Sequence, residues 1–362
     1  MSRARGALLA GLLAAGCSKE SPRPPDVPLE PPTASAAAAP SASSAALPPA
    51  SGAAPSAPSP SAAGSSSAAP PASHAPGARQ VVTGATKLLD PGQAPRRKLR
   101  YAWHVDRREQ LVMDLRTAAS TEIGGAKQGE IPLPPVHVAV DLDPRSVGPA
   151  GELHYDWRVA AAGVTADAQM PAQIVDGMRL EVSAVEHLAG TGVVSSRGLA
   201  EDVTIDPASV VDAGATGQMV EQVRQTLRDL AVPFPEEEVG RGARWQKIAQ
   251  LEAKGSRLTQ TDTFTLGEVQ GDRGGVDDVL AQTAPPQTLH APGMPNGAEA
   301  RMESMLASGS SKVAFDLGRI VPQSKFDGTT TMVVSGQGGG ADGAHRVTMV
   351  MRVGIDLAGK PR

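Results

Sequence analysis

Cys17 is the only thiol in the chain, and its surroundings limit what chemistry it can do. It stands directly behind an apolar run at residues 7–15, which follows the charged pair Arg3 and Arg5. That run is too short for the ~20 residues a membrane-spanning helix needs. A basic start, a short apolar stretch and a close of small residues make up the layout of an export signal. The cysteine falls just past the cleavage point, and an ordinary secretory signal with a chance cysteine is one reading of this layout.

The other reactive side chains are scattered. Of seven histidines, only His137 and His154 fall on adjacent candidate strands. If Leu142 faces Leu153 across a loop at 143–152, then Asp141 faces His154 and Arg158 faces His137. The histidines are then cross-strand partners of charged residues, and no metal site is expected. Glu236-Glu237-Glu238 follows prolines and is expected to solvate a turn, and Asp277-Asp278 reads as the start of a loop. There is no G-x-S-x-G elbow and no phosphate-binding loop. The glycine-rich stretch 336–343 lacks the Lys-Ser/Thr of such a loop and reads as a hairpin tip. No catalytic residue and no cofactor are expected, so the chain is not read as an enzyme.

Leu13-Ala14-Ala15-Gly16-Cys17 resembles the lipobox of bacterial lipoproteins. It departs from that pattern three places before the cysteine, where Ala14 stands instead of the usual Leu. The resemblance implies that residues 1–16 are a signal peptide. It also implies that Cys17 is acylated with palmitate-type chains, becomes the first mature residue and holds the protein to a membrane. Ser18 stands where an inner-membrane retention signal would place Asp, which implies the outer membrane, facing either the periplasm or the cell surface.

Residues 17–79 are built almost wholly of Pro, Ala and Ser from Pro22 onward. With so few large apolar side chains, such a segment cannot offset the entropy of ordering itself. As a flexible coil it would span roughly 40 Å, and proline would stretch it further. It reads as a disordered tether. Residues 80–362 remain as one exported domain, long enough to bury a substantial core. The net charge of -4 and the lack of any Lys/Arg run argue against nucleic acid. With Cys17 committed to lipid, the domain has no disulfide available. Aromatics make up only 2% of the chain, so aliphatic residues and methionine are expected to fill the core.

Alternation with period two dominates this domain. Val136-Val138-Val140-Leu142, Leu153-Tyr155-Trp157-Val159 and Val347-Met349-Met351-Val353-Ile355 each mark one buried strand face. Weaker runs are Leu111-Met113-Leu115, Met178-Leu180-Val182, 258–266, Val313-Phe315-Leu317 and Thr330-Met332-Val334. Tyr101-Ala102-Trp103 and Trp245 suggest further strands, giving roughly ten. Asp143-Pro144, Gly148-Pro149 and Gly190-Thr191-Gly192 carry turn chemistry. Short turns favour antiparallel pairing. One amphipathic helix is expected after Thr216, a candidate N-cap. Val220, Val223, Leu227 and Leu230 lie on its apolar side, while Glu221, Arg224, Gln225, Arg228 and Asp229 face away. A second, short helix is expected at 298–306. The fold class is therefore mainly β with one or two helices: a large curved antiparallel sheet or open half-barrel covered by a central amphipathic helix.

The helix ends at Pro233-Phe234-Pro235, and Val239-Gly240-x-Gly242-x-x-Trp245 then opens a strand. This combination resembles a group of uncharacterised secreted bacterial lipoproteins, itself distantly similar to lipoprotein carriers built as an open half-barrel with helices across its mouth. The matching motif covers only residues 219–245. It implies a β-rich domain that binds a lipid or another apolar ligand. Without the resemblance, Gly240 and Gly242 allow a sharp turn and Trp245 anchors a strand in the core. Met178, Met332, Met349 and Met351 on strand faces, with Val223 and Leu227 on the helix, are the candidate lining of such a site, because methionine suits adaptable apolar surfaces. Plain core packing is the other reading of the same residues. It would suit a structural lipoprotein that docks an envelope protein and takes no small ligand.

Overall fold

The computed structural model describes residues 86–166, 170–210, 217–253, 256–289, 300–337 and 344–362. Cys17, the tether 17–79, the candidate cap Thr216 and the glycine-rich tip 338–343 lie outside the described residues. The described strands form one antiparallel sheet of fourteen, open at both edges. No described helix is long and apolar enough to cross a membrane.

The chain builds the sheet as two meanders. Strand β1 (Thr86–Asp90) lies at one edge. The chain then enters the middle at β2 (Glu109–Ile123), with the short β3 (Ala126–Lys127) beside it. It proceeds outward through β4 (Ile131–Val147), β5 (Leu153–Val164), β6 (Ala189–Val194) and β7 (Ala200–Ile205). The second meander starts back beside β1. It runs through β8 (Arg244–Ala253), β9 (Ser256–Gln270), β10 (Arg273–Ala284), β11 (Gln287–Leu289), β12 (Ala300–Asp316), β13 (Gln323–Gln337) and β14 (Ala344–Pro361). The meanders join where β14 pairs with β2, from Val347↔Ile123 to Pro361↔Glu109. Helix α1 (Ala172–Ser183) interrupts the first meander, and α2 (Gly217–Arg228) links the two.

Several local expectations are corrected. Met178-Leu180-Val182 lies in α1, not in a strand; its alternation spans only three residues, which a helix can also supply. The helix expected at 298–306 is the start of β12, because pairing with β13 on one side and β10 and β11 on the other overrides local spacing. Asp143-Pro144 is not a turn: β4 continues to Val147, so Leu142 pairs with Trp157, Asp141 with Arg158 and Ser146 with His154. Tyr101 and Trp103 belong to no strand. They stack at 4.3 Å within an irregular strap between β1 and β2.

Gly190-Thr191-Gly192 is likewise strand, in β6. A side chain at Gly190 would strike Trp157 at 2.8 Å, and one at Gly192 would strike the Tyr155 ring at 2.2 Å. These glycines exist to admit aromatic rings from β5, not to turn the chain. Gly309 and Gly328 do the same for Phe326.

All nine aromatic residues of the chain are buried. Tyr101, Trp103, Phe234, Trp245, Phe264 and Phe315 form a connected series of ring contacts at the strap end of the sheet. The few aromatics thus concentrate in one cluster, while aliphatic residues and methionine fill the rest.

Candidate functional site

The core-facing side of the sheet carries three apolar clusters and a belt of polar side chains. Leu227 is fully buried in the largest cluster, with Val223 half-buried against it. Met351 and the half-buried Met178 belong to a second, with Met113, Leu115, Val136, Val182, Leu280, Phe326, Val353 and Ile355. Met332 and the half-buried Met349 belong to a third, with Leu251, Leu258, Met302 and Met305. The six candidate lining residues are therefore distributed over three clusters and do not share one wall. Met302 and Met305, on β12, join the methionine-rich end.

Helix α1 lies over β4 and β5 and is thinly attached. Among its twelve residues only Val175 and Val182 are buried, while Met178 is half-buried and Leu180 is 75% exposed. Burying a valine contributes about 1.5–3 kcal/mol, so two such anchors contribute only about 3–6 kcal/mol to holding the helix. The apolar floor on which Val182 and Met178 rest is continuous from β10 to β4.

The polar belt is made by inward positions of β8, β9 and β10. Lys247 pairs with Asp262 across β8 and β9, and its ammonium reaches Asp229 Oδ1 at 3.4 Å. Asp229 also accepts from Gln225 at 2.6 Å. Gln260 donates to both oxygens of Asp262 and receives a bond from Gln282 at 2.8 Å. Ser311 donates to Asp278 at 3.4 Å. Two buried carboxyls, Asp229 and Asp262, thus lie beside one buried ammonium, and Asp278 neighbours Asp262. Burial pushes the Asp262 carboxyl up to about 8, and the neighbouring Asp278 adds to the rise, while Gln260 and Lys247 oppose it. Glu221, Gln225 and Asp229, expected to face away, are buried. The segment is packed on two sides, with Leu227 in the apolar core and Asp229 on Lys247.

This belt was legible in part. Gln260 and Asp262 share the parity of Leu258, Phe264 and Leu266, and Asp278 and Gln282 share that of Val276 and Leu280. Polar residues at inward positions of an alternating strand were the available signal. Asp278 is accordingly mid-strand and buried, not the start of a loop.

The histidines stay apart, in a different arrangement from the one expected. His137 contacts Asp114 on β2 through Nδ1 and Thr165 through Nε2, at 2.7 Å for the threonine, while His154 lies 3.8 Å from Glu152. Among the described residues no group of three or more His, Cys, Asp or Glu is arranged to hold a metal ion. Trp245 is a core anchor, fully buried with its indole donating to the Pro233 carbonyl at 2.7 Å. Gly242 has a φ of 80°, and a side chain at Gly240 would strike the Gln93 carbonyl at 1.7 Å, so both glycines of the motif are sterically required. Glu236, Glu237 and Glu238 are exposed.

No protein-family model matches the chain, and no curated protein is significantly similar to it.

Proposed function

We propose that this chain is a lipoprotein of the cell envelope, held through acylated Cys17 to the outer membrane, with residues 17–79 as a tether. Its β-rich domain takes up a lipid or another apolar ligand between α1 and the sheet. The observation that carries this reading is the contrast between helix and floor. Two buried valines hold α1, while the surface beneath it includes Met113, Leu115, Val136, Phe326, Met351, Val353 and Ile355. A helix held by so few buried side chains opens at less cost than the paired strands beneath it, and it would expose an apolar strip that an acyl chain can replace it on. Met113, Met178 and Met351 are suited to re-packing around ligands of varied shape.

Native mass spectrometry of the full-length Cys17→Ser chain tests the proposal, because that chain lacks acyl groups of its own. Co-purified lipid that increases in Val182→Ala supports the reading. A ligand-free chain that also takes up no apolar dye overturns it.

A structural role is the second reading, and the edge of β8 favours it, where among the described residues no strand pairs on the β1 side beyond Lys247. Strand β1 pairs with β8 only from Arg244 to Lys247, and beyond that Ile248 is 48% exposed. Such an edge can accept a strand from a partner. A photocrosslinker at Gln250 that captures one envelope protein, together with a ligand-free chain, would favour this reading.

A further inference from the structure

The side of the sheet facing away from the core holds an open groove of about 700 Å³ across β9, β10, β12, β13, β14 and β2. This is within the usual size range of small-molecule sites, roughly 300–1,000 Å³. Its floor is nearly bare, passing over Gly267, Gly275, Ala314 and Ala358. Gly275 is not demanded by the backbone. It is absent from the glycines with positive φ, and a side-chain carbon there would meet only the Val313 carbonyl, at 3.7 Å. A residue with a side chain would fit the strand, and its absence is what keeps the groove open.

Across this floor runs a row of charges. Lys312 on β12 stands directly opposite Lys325 on β13, with Asp277 across from Lys312 and Asp356 across from Lys325. Like charges in directly opposed positions cost sheet stability, so the pair calls for a reason. Lys360 lines the same groove. Three acids line it as well: Asp356 is paired with Arg116, and Asp114 contacts the His137 ring. Lys312, Lys325 and Lys360 make no ion pair among the described residues. The groove therefore offers three unpaired ammonium groups over an apolar, side-chain-poor floor.

We propose that this groove binds an amphiphile whose anionic group, a carboxylate or phosphate, sits on Lys312 and Lys325 while its apolar body lies over Gly275, Ala314 and Ala358. The site lies on the opposite side of the sheet from α1 and does not depend on the reading of that helix.

Calorimetry with the full-length Cys17→Ser chain tests it, with laurate, dodecyltrimethylammonium and inorganic phosphate as probes. Laurate should bind, dodecyltrimethylammonium should not, and phosphate should compete with laurate. The double change Lys312→Gln/Lys325→Gln should weaken laurate at least tenfold while leaving the thermal midpoint equal or higher, because the opposed charges are gone. Gly275→Leu, or Ala314→Leu if the first fails to fold, should block laurate by filling the floor. Equal binding of the cationic and anionic probes overturns the proposal. So does laurate binding that survives both the lysine and the floor changes, an outcome that would instead place the ligand beneath α1. Failure of laurate to bind also overturns it, and leaves the α1 reading to be judged by its own test.

Discussion

Trp245 and Pro233 are joined by a buried hydrogen bond of 2.7 Å from indole to carbonyl, which fastens the exit of α2 to the first strand of the second meander. Phe234, fully buried between them in sequence, packs its ring 6.2 Å from that of Trp245. The segment acts as the rivet between the two halves of the sheet. Trp245→Phe keeps much of the ring but orphans a buried carbonyl, and should destabilise the domain by ~1–3 kcal/mol in denaturant unfolding.

Leu227 is 2% exposed in the main core cluster. Leu227→Ala should cost ~2–5 kcal/mol if the surrounding side chains cannot close the void. A smaller loss with increased uptake of an apolar dye would show that the core yields under α2. Chemical unfolding and dye titration on the same protein read both quantities.

Asp262 links stability to pH. Its carboxyl is held at about 8 by burial and by Asp278, against ~3.9 in an unfolded chain. Between those values the folded state binds the extra proton, so stability falls as pH rises through the window and levels off above it. Asp262→Asn should flatten this dependence, and its thermal midpoint should gain on the native protein at pH 8.5 more than at pH 5. Parallel pH profiles of the two proteins would reject the assignment.

Lys247 donates to Asp229 Oδ1 at 3.4 Å, both groups being buried. Lys247→Met should destabilise by ~3–5 kcal/mol, the usual cost of removing one partner of a buried ion pair. Urea unfolding at pH 7.5 measures the loss.

Cys17→Ser should release the chain from the membrane fraction and abolish labelling by a fatty-acid analogue. Retention without labelling would mean that another part of the chain holds the membrane. Deleting residues 31–71 should leave the thermal midpoint of the exported domain unchanged, since those residues offer almost no large apolar side chain to a core.

What the sequence determined by itself is the β-rich class, the helix at 217–228, the anchoring role of Trp245 and the long alternating strands. Each of these rests on periodicity or local sterics, which act within a few residues. Strand identity was lost where the deciding partner is distant in the chain. Met302 became strand because β11 and β13 pair with it, and Gly190 and Gly192 are strand glycines because Trp157 and Tyr155 lie over them. The same holds for the sites. Asp262, Lys247 and Asp229 form a belt only when β8, β9 and the end of α2 meet. Lys312 and Lys325 oppose each other only in the register of β12 and β13. Alternation says which way a side chain points, but register and sheet order, set by pairing across tens to hundreds of residues, decide what it meets there.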